Sequence, residues 1–215
     1  MNLETILRAA PVIPVVIIDQ LSQAVPLARA LVAGGLPVIE ITLRTAVGLE
    51  AIRAIAAEVP DAIVGAGTVL SGEQFEKTVA AGSKFAVSPG ATESLLDAVA
   101  GAQIKLLPGI ATASEAMRLI ERGYEFAKLF PAEASGGAAF LSSIASPLPQ
   151  LKFCPTGGIT LDSAPRYLKL PNVACIGGSW MVNRAMIAAG DWSGITSAAA
   201  QAAALNIHRG GAAHG

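Results

Sequence analysis

Short runs rich in β-branched and apolar residues recur along the chain about every 22 residues, and alanine-rich stretches of helical pattern separate them. The runs are VIPVVII (12–18), PVIEITL (37–43), AIVGAG (62–67), FAVSP (85–89), IKLLPG (104–109), EFAKLFP (125–131), KFCPTGG (152–158) and VACIGGS (173–179). Between them lie patterns such as QAVPLARALVAGG, AVGLEAIRAIAAEVP and SEAMRLIERG. Gly34, Gly82, Gly101 and Gly123 stand where a left-handed residue would stop the preceding helix. Strands that alternate with helices pair in parallel, since the helix carries the chain back to the starting edge. Eight such units predict a single-domain α/β fold over 1–215, a (β/α)8 TIM barrel. A short N-terminal helix, NLETILRA, precedes the first strand, and DWSGITSAAAQAAALN forms the last helix. A doubly wound open sheet competes, but no GxGxxG opens a helix after the first strand, and eight strands suit closure. A barrel of this kind carries its site at the carboxyl ends of the strands.

Composition narrows the chemistry. Apolar residues make up 53% of the chain and charged ones 14%, with a formal net charge of −1. Lysines and arginines are scattered, which argues against nucleic acid or an anionic membrane as partner. The N-terminus, MNLETILRAAP, has an acidic residue where a signal peptide needs positive charge. The longest apolar runs fall far short of the roughly 20 residues that span a bilayer, so the expectation is a cytoplasmic protein. Cys154 and Cys175 sit in apolar runs without CxxC spacing and read as reduced core residues. The two histidines, His208 and His214, fall in NIHRGGAAHG, where 207–215 reads as a flexible tail. A Ser-His triad or a His-bound metal would have to be built from that tail, so neither metal nor cofactor is expected.

The informative residues are the polar ones that a packed barrel should not tolerate. Strand side chains alternate, so in PVIEITLRT the side chains of Glu40, Thr42 and Arg44 share one face. A carboxylate then points inward with a guanidinium above it near the rim. That is either a structural ion pair or an acid–base group beneath an anion clamp. Lys128 poses the same problem among Phe126, Leu129 and Phe130. Its stem could lie along apolar surface with its head at the rim, paired with Glu133. Alternatively it is an amine nucleophile: desolvation favours the neutral amine, a nearby carboxylate favours the ammonium, and sequence leaves the balance open. CPTGG and CIGGS place Gly157 and Gly158, then Gly177, Gly178 and Ser179, after consecutive strands and ahead of helices. Backbone amides there, free of side chains, suit a phosphate cradle, although tight turns also use glycine. Thr68 could offer a hydroxyl to a substrate carboxylate beside Arg44, or simply cap the next helix. Pro89 and Pro108 shape the rim, and Phe130 and Trp180 are candidate pocket walls.

PVIEITLRT, VGAGTVL, FAVSPG, LLPGI, AKLFPAE, FCPTGGI and CIGGSW together resemble, in order and spacing, the class I 2-keto-3-deoxy-6-phosphogluconate aldolases. That family overlaps the 4-hydroxy-2-oxoglutarate aldolases, and the resemblance covers roughly residues 5 to 195. It implies a metal-independent (β/α)8 lyase that acts through a pyruvate Schiff base and assembles as a homotrimer. By resemblance Lys128 forms the Schiff base and Glu40 transfers protons. Arg44 and Thr68 meet the pyruvate carboxylate, while Thr156, Gly157, Gly158, Gly178 and Ser179 meet phosphate and hydroxyls. Pro89 and Phe130 complete the substrate-binding set. Leu129 departs from the family, where a second aromatic commonly follows the lysine. Three rivals remain at this level: cleavage of 4-hydroxy-2-oxoglutarate, an isomerase using Glu40 as base, and a barrel that only binds a phosphorylated metabolite.

Overall fold

The structure, a computed structural model, describes residues 1–205, so the tail at 207–215 lies outside the described residues. The chain begins with α1 (Leu3–Leu7), β1 (Val12–Val16), α2 (Ala24–Ala33), β2 (Val38–Thr42), α3 (Gly48–Glu58) and β3 (Ile63–Gly67). It continues with α4 (Gly72–Ala80), β4 (Phe85–Val87), α5 (Glu93–Ala98), β5 (Lys105–Leu107), β6 (Gly109–Ile110) and α6 (Ala113–Glu121). Last come β7 (Phe126–Leu129), α7 (Gly137–Ile144), β8 (Lys152–Phe153), α8 (Ala164–Leu168), β9 (Ile176–Gly178), α9 (Arg184–Ala189) and α10 (Trp192–Ala203).

This is an α/β fold in which all the named strand pairs are parallel. A six-stranded sheet runs β5-β4-β3-β2-β1-β9, and a second runs β6-β7-β8. Each of the eight apolar runs contains strand, and the fifth is divided at Pro108. Proline has no N–H to give to a ladder, so the strand breaks there and changes partner. Leu107 still accepts from the Ser88 N–H beside β4, whereas the Pro108 carbonyl accepts from Lys128 in β7. Two isolated parallel bridges, Phe153 to Val173 and Thr156 to Gly177, tie the chain around β8 to that around β9.

Alternation along the strands separates two cores. Outward residues such as Ile39, Ile41, Ala127 and Leu129 pack beneath the helices. The opposite faces contribute Ile13, Val38, Phe85, Val87, Leu107, Phe126, Cys154 and Cys175, joined by Leu3, Ile6 and Leu7 of α1. Both cysteines are free thiols. Helix α1 starts at Asn2, whose side chain accepts from the Thr5 N–H, and it seals the amino-terminal end of this core. The left-handed stops fall at Gly82, Gly101 and Gly123 as expected, but after α2 the residue with φ +87° is Gly35. Gly34 serves packing instead: a Cβ there would meet the Thr196 carbonyl oxygen at 2.7 Å, where α2 crosses α10. Among the described residues no helix is long and apolar enough to cross a membrane.

Candidate active site

Two strands deliver the charged pair. Along β2, Val38 falls in the inner core and Ile39 and Ile41 in the outer, which leaves Glu40 facing inward. Thr42 shares that parity, is fully buried and donates to the Val16 carbonyl of β1 at 2.8 Å. Along β7, Phe126 is inner and Ala127 and Leu129 are outer, so Lys128 faces Glu40. Lys128 Nζ lies 3.2 Å from Glu40 Oε1 and 3.4 Å from Oε2, and each residue is only 3% exposed. The Phe130 ring stands over the amine, 5.2 Å from Nζ to its centroid. Glu133, the other partner considered for Lys128, is bound instead to Arg166 and Tyr167. A buried pair of this kind is held by mutual need, since removing one partner strands a charge in a medium that solvates it poorly.

Glycine makes the room. A Cβ at Gly67 of β3 would overlap the Glu40 carboxylate, and one at Gly65 would overlap the Phe85 ring. Two glycines two residues apart on one strand face, as in VGAGTVL, are the sequence sign of a face vacated for neighbours.

At the rim, Arg44 is exposed and its Nε donates to Thr68 Oγ1 at 3.0 Å. Thr68 has φ +60°, a left-handed conformation that β-branched residues rarely adopt and that costs on the order of 1–3 kcal/mol. Ser71, not Thr68, caps α4, accepting from Gln74. The two glycine pairs differ in kind. Gly157 (φ +107°) and Gly158 (φ +80°) are required by backbone conformation. Gly177 and Gly178 have no left-handed φ; side chains there would overlap Thr156 and the Trp180 ring. Neither pair sits directly on an α-helical N-terminus, because α8 begins only at Ala164 and a single 3-10 turn, Trp180–Val182, follows Ser179. Among the described residues, the backbone N–H groups of Gly157, Gly158 and Ser179 meet no protein acceptor.

A cavity of about 160 Å³ brings most of these residues together: Arg44, Lys128, Phe130, Thr156, Gly157, Gly158, Gly177, Gly178 and Ser179, with Val15 and Ile17 of the first strand run. Glu40 lies behind Lys128, and Thr68 reaches the cavity through Arg44. Pro89 does not line it; its carbonyl lies against Gly109, where a Cβ would overlap it. A larger cavity of about 520 Å³ opens between α1, α5, α6 and the start of β5. Its Arg122 is already bound to Glu93 and Asp97, and it holds no buried charged pair, so volume alone does not mark the site. Among the described residues no three His, Cys, Asp or Glu side chains cluster to hold a metal ion.

The chain is thus an α/β protein whose one buried lysine–carboxylate pair lies beneath a cavity that Arg44 and unengaged backbone amides also line, among the described residues. The family model described as "KDPG and KHG aldolase" matches residues 3–198. The KHG/KDPG aldolase of Escherichia coli strain K12 is 52% identical over 93% of this chain and 93% of its own. The crystal structure of KDPG aldolase from Legionella pneumophila, with pyruvate captured as a covalent carbinolamine, superposes with a TM-score of 0.93. It is 46% identical and covers 94% of this chain and 98% of its own. The 2-keto-3-deoxy-6-phosphogluconate aldolase of Zymomonas mobilis ZM4, solved with 3-phosphoglycerate, gives a TM-score of 0.90 at 46% identity, covering 95% of this chain and 96% of its own. The chain belongs to the KDPG and KHG aldolase family.

Proposed function

We propose that this lyase is a Schiff-base aldolase that reversibly cleaves 2-keto-3-deoxy-6-phosphogluconate to pyruvate and glyceraldehyde 3-phosphate. The observation that carries the reading is the isolated Lys128–Glu40 pair beneath a cavity with Arg44 at its mouth. Lys128 passes a proton to Glu40 and attacks the C2 ketone. Glu40 returns that proton to the leaving hydroxyl of the carbinolamine, and the cationic imine becomes an electron sink. Glu40 then takes the C4 hydroxyl proton through a water, the C3–C4 bond breaks, and the aldehyde leaves. The same acid protonates the enamine at C3, and hydrolysis of the imine releases pyruvate and restores Lys128. Arg44, held by Thr68, pairs with the substrate carboxylate as a planar donor. Thr156, the bare amides of Gly157 and Gly158, and Ser179 beside Gly178 receive hydroxyls and phosphate; Phe130 walls the pocket, and Pro89 stands outside it against Gly109. Since the Escherichia coli relative is named for both activities, cleavage of 4-hydroxy-2-oxoglutarate is a second reaction of the same site.

The same reading takes residues 1–215 as one domain and the strands as a closed (β/α)8 barrel. Parallel pairing passes from each run to the next, β5 and β6 count as one interrupted strand, and two bridges span the β8–β9 gap. Cytoplasmic residence suits two unoxidised buried thiols. The homotrimer rests on family resemblance, and sedimentation velocity tests it.

Incubation with pyruvate, reduction with borohydride and peptide mapping should place the adduct on Lys128. Lys128→Met should give none, and Glu40→Gln should slow turnover about 10²–10⁴-fold, the range for loss of a proton-transfer group. An adduct on Lys105 or Lys152, or none at all, would overturn the assignment.

A further inference from the structure

Glu133 has no part in that chemistry, yet it is bound from three sides within reach of the cavity. It opens the 3-10 turn Glu133–Ser135 that follows β7. Its Oε1 accepts from Tyr167 OH at 2.6 Å and from Arg166 Nη2 at 2.5 Å, and both donors stand on α8. Tyr167 is fully buried, so the carboxylate is tied to a fixed point rather than to a mobile surface chain. The backbone beside it grips the glycine loop directly. Ala132 N–H donates to the Thr156 carbonyl at 2.8 Å, and Glu133 N–H donates to the Gly157 carbonyl at 3.1 Å. Finally, the Glu133 stem fills the space over Gly158, where a Cβ would meet Glu133 Cγ at 2.8 Å.

Gly157 and Gly158 are both left-handed and have no side chains of their own to hold them. Glycine samples more backbone conformations than any other residue, so the shape of such a loop must be imposed from outside. We propose that Glu133 is a positioning residue that fixes the Gly157–Gly158 loop against α8 and thereby selects substrates bearing a terminal phosphate. Amides serve an anion well only if they are already aimed, because ordering them on binding subtracts from affinity. 4-Hydroxy-2-oxoglutarate carries no phosphate for these amides to hold, so it depends less on how the loop is aimed. The inference rests on the reading of that loop as the phosphate seat.

The test compares the full chain with Glu133→Ala, Glu133→Gln and Tyr167→Phe. It measures kcat and KM for 2-keto-3-deoxy-6-phosphogluconate and 4-hydroxy-2-oxoglutarate, inhibition by inorganic phosphate, borohydride trapping of pyruvate, and the thermal midpoint. Glu133→Ala should raise KM for the phosphorylated substrate about 10- to 100-fold, as when outer-shell partners of a ligand group are lost. Phosphate inhibition should weaken in step, while pyruvate trapping and the second substrate stay near wild type. Glu133→Gln, which keeps an acceptor for Tyr167, should recover part of the loss; Tyr167→Phe, which removes the buried donor and leaves the ring, should reproduce part of it. Equal losses on both substrates, or an unchanged KM for the phosphorylated one, would sink the proposal. Wild-type protein that traps no pyruvate would instead topple the aldolase reading, and this inference with it.

Discussion

Gly67 shows how much a single absent side chain can decide. The Glu40 carboxylate occupies the space a Cβ would take on β3, and the Phe85 ring does the same at Gly65 one layer below. Both glycines are therefore steric, but they protect different things: one the Glu40 carboxyl group facing Lys128, the other a core ring. Gly67→Ala should displace the carboxylate and lower kcat about 100-fold, since misplacement by an ångström is felt on that scale. Gly65→Ala should destabilise by about 1–3 kcal/mol through overpacking, with kcat far less affected. Steady-state kinetics and urea unfolding of the two variants measure this contrast. If Gly67→Ala kept full kcat, the carboxylate position would not matter and Glu40 would lose its role. Much of this site was legible from parity alone: a period of two put Glu40 and Arg44 on one face, and Lys128 stood out as a charge in an apolar strand. The partners of Glu133 were not legible, because Arg166 and Tyr167 lie 33 and 34 residues further on, and only packing of α8 brings them back.

At the scale of elements, α1 is a stopper. Five residues are far too few to hold a helix in water, so its formation depends on docking. Asn2 caps it and Leu3, Ile6 and Leu7, at i, i+3 and i+4, enter the inner core at the end opposite the Lys128–Glu40 pair. Leu7 is fully buried, and its replacement by alanine should cost about 2–5 kcal/mol. Because the stopper touches no residue of the active-site cavity, kcat of Leu7→Ala measured well below its melting temperature should match wild type. Denaturant unfolding and kinetics on one preparation check both halves, and a kcat that fell with stability would show that the core transmits the disturbance. The strand–helix alternation predicts nearly every element, and NLETILRA contains the helix α1. Two features escaped. Pro108 splits one strand because a ladder needs an N–H that proline lacks, and α8 starts six residues beyond Gly158 rather than at it, so the glycine loop does not sit on a helix N-terminus.

Across the whole molecule, ion pairs such as Arg8–Glu4, Lys77–Glu73 and Arg184–Asp19 lie at the surface and contribute little to stability. Dependence on pH should then come from the few titrating groups whose surroundings differ most from water, and Tyr167 is one. Burial, and then its hydrogen bond to Glu133, push its hydroxyl up to about 12. The same bond, followed by that from Arg166, holds the Glu133 carboxyl below the usual carboxylate range. For a group raised on folding, the stabilising contribution is complete below its unfolded value, about 10 for tyrosine, and is lost as pH climbs toward 12. For a group lowered on folding, the contribution is present above its unfolded value and is lost as acid protonates the folded form. Tyr167→Phe deletes one group and relaxes the other. The stability difference between wild type and Tyr167→Phe should form a plateau from about pH 5 to 10 and decline on both flanks. Urea unfolding of the pair across that range reads it directly, with other titrations cancelling in the difference. A difference that stayed level through both flanks would mean that the hydroxyl proton is not shared with Glu133, and the strut proposed for the glycine loop would lose its anchor.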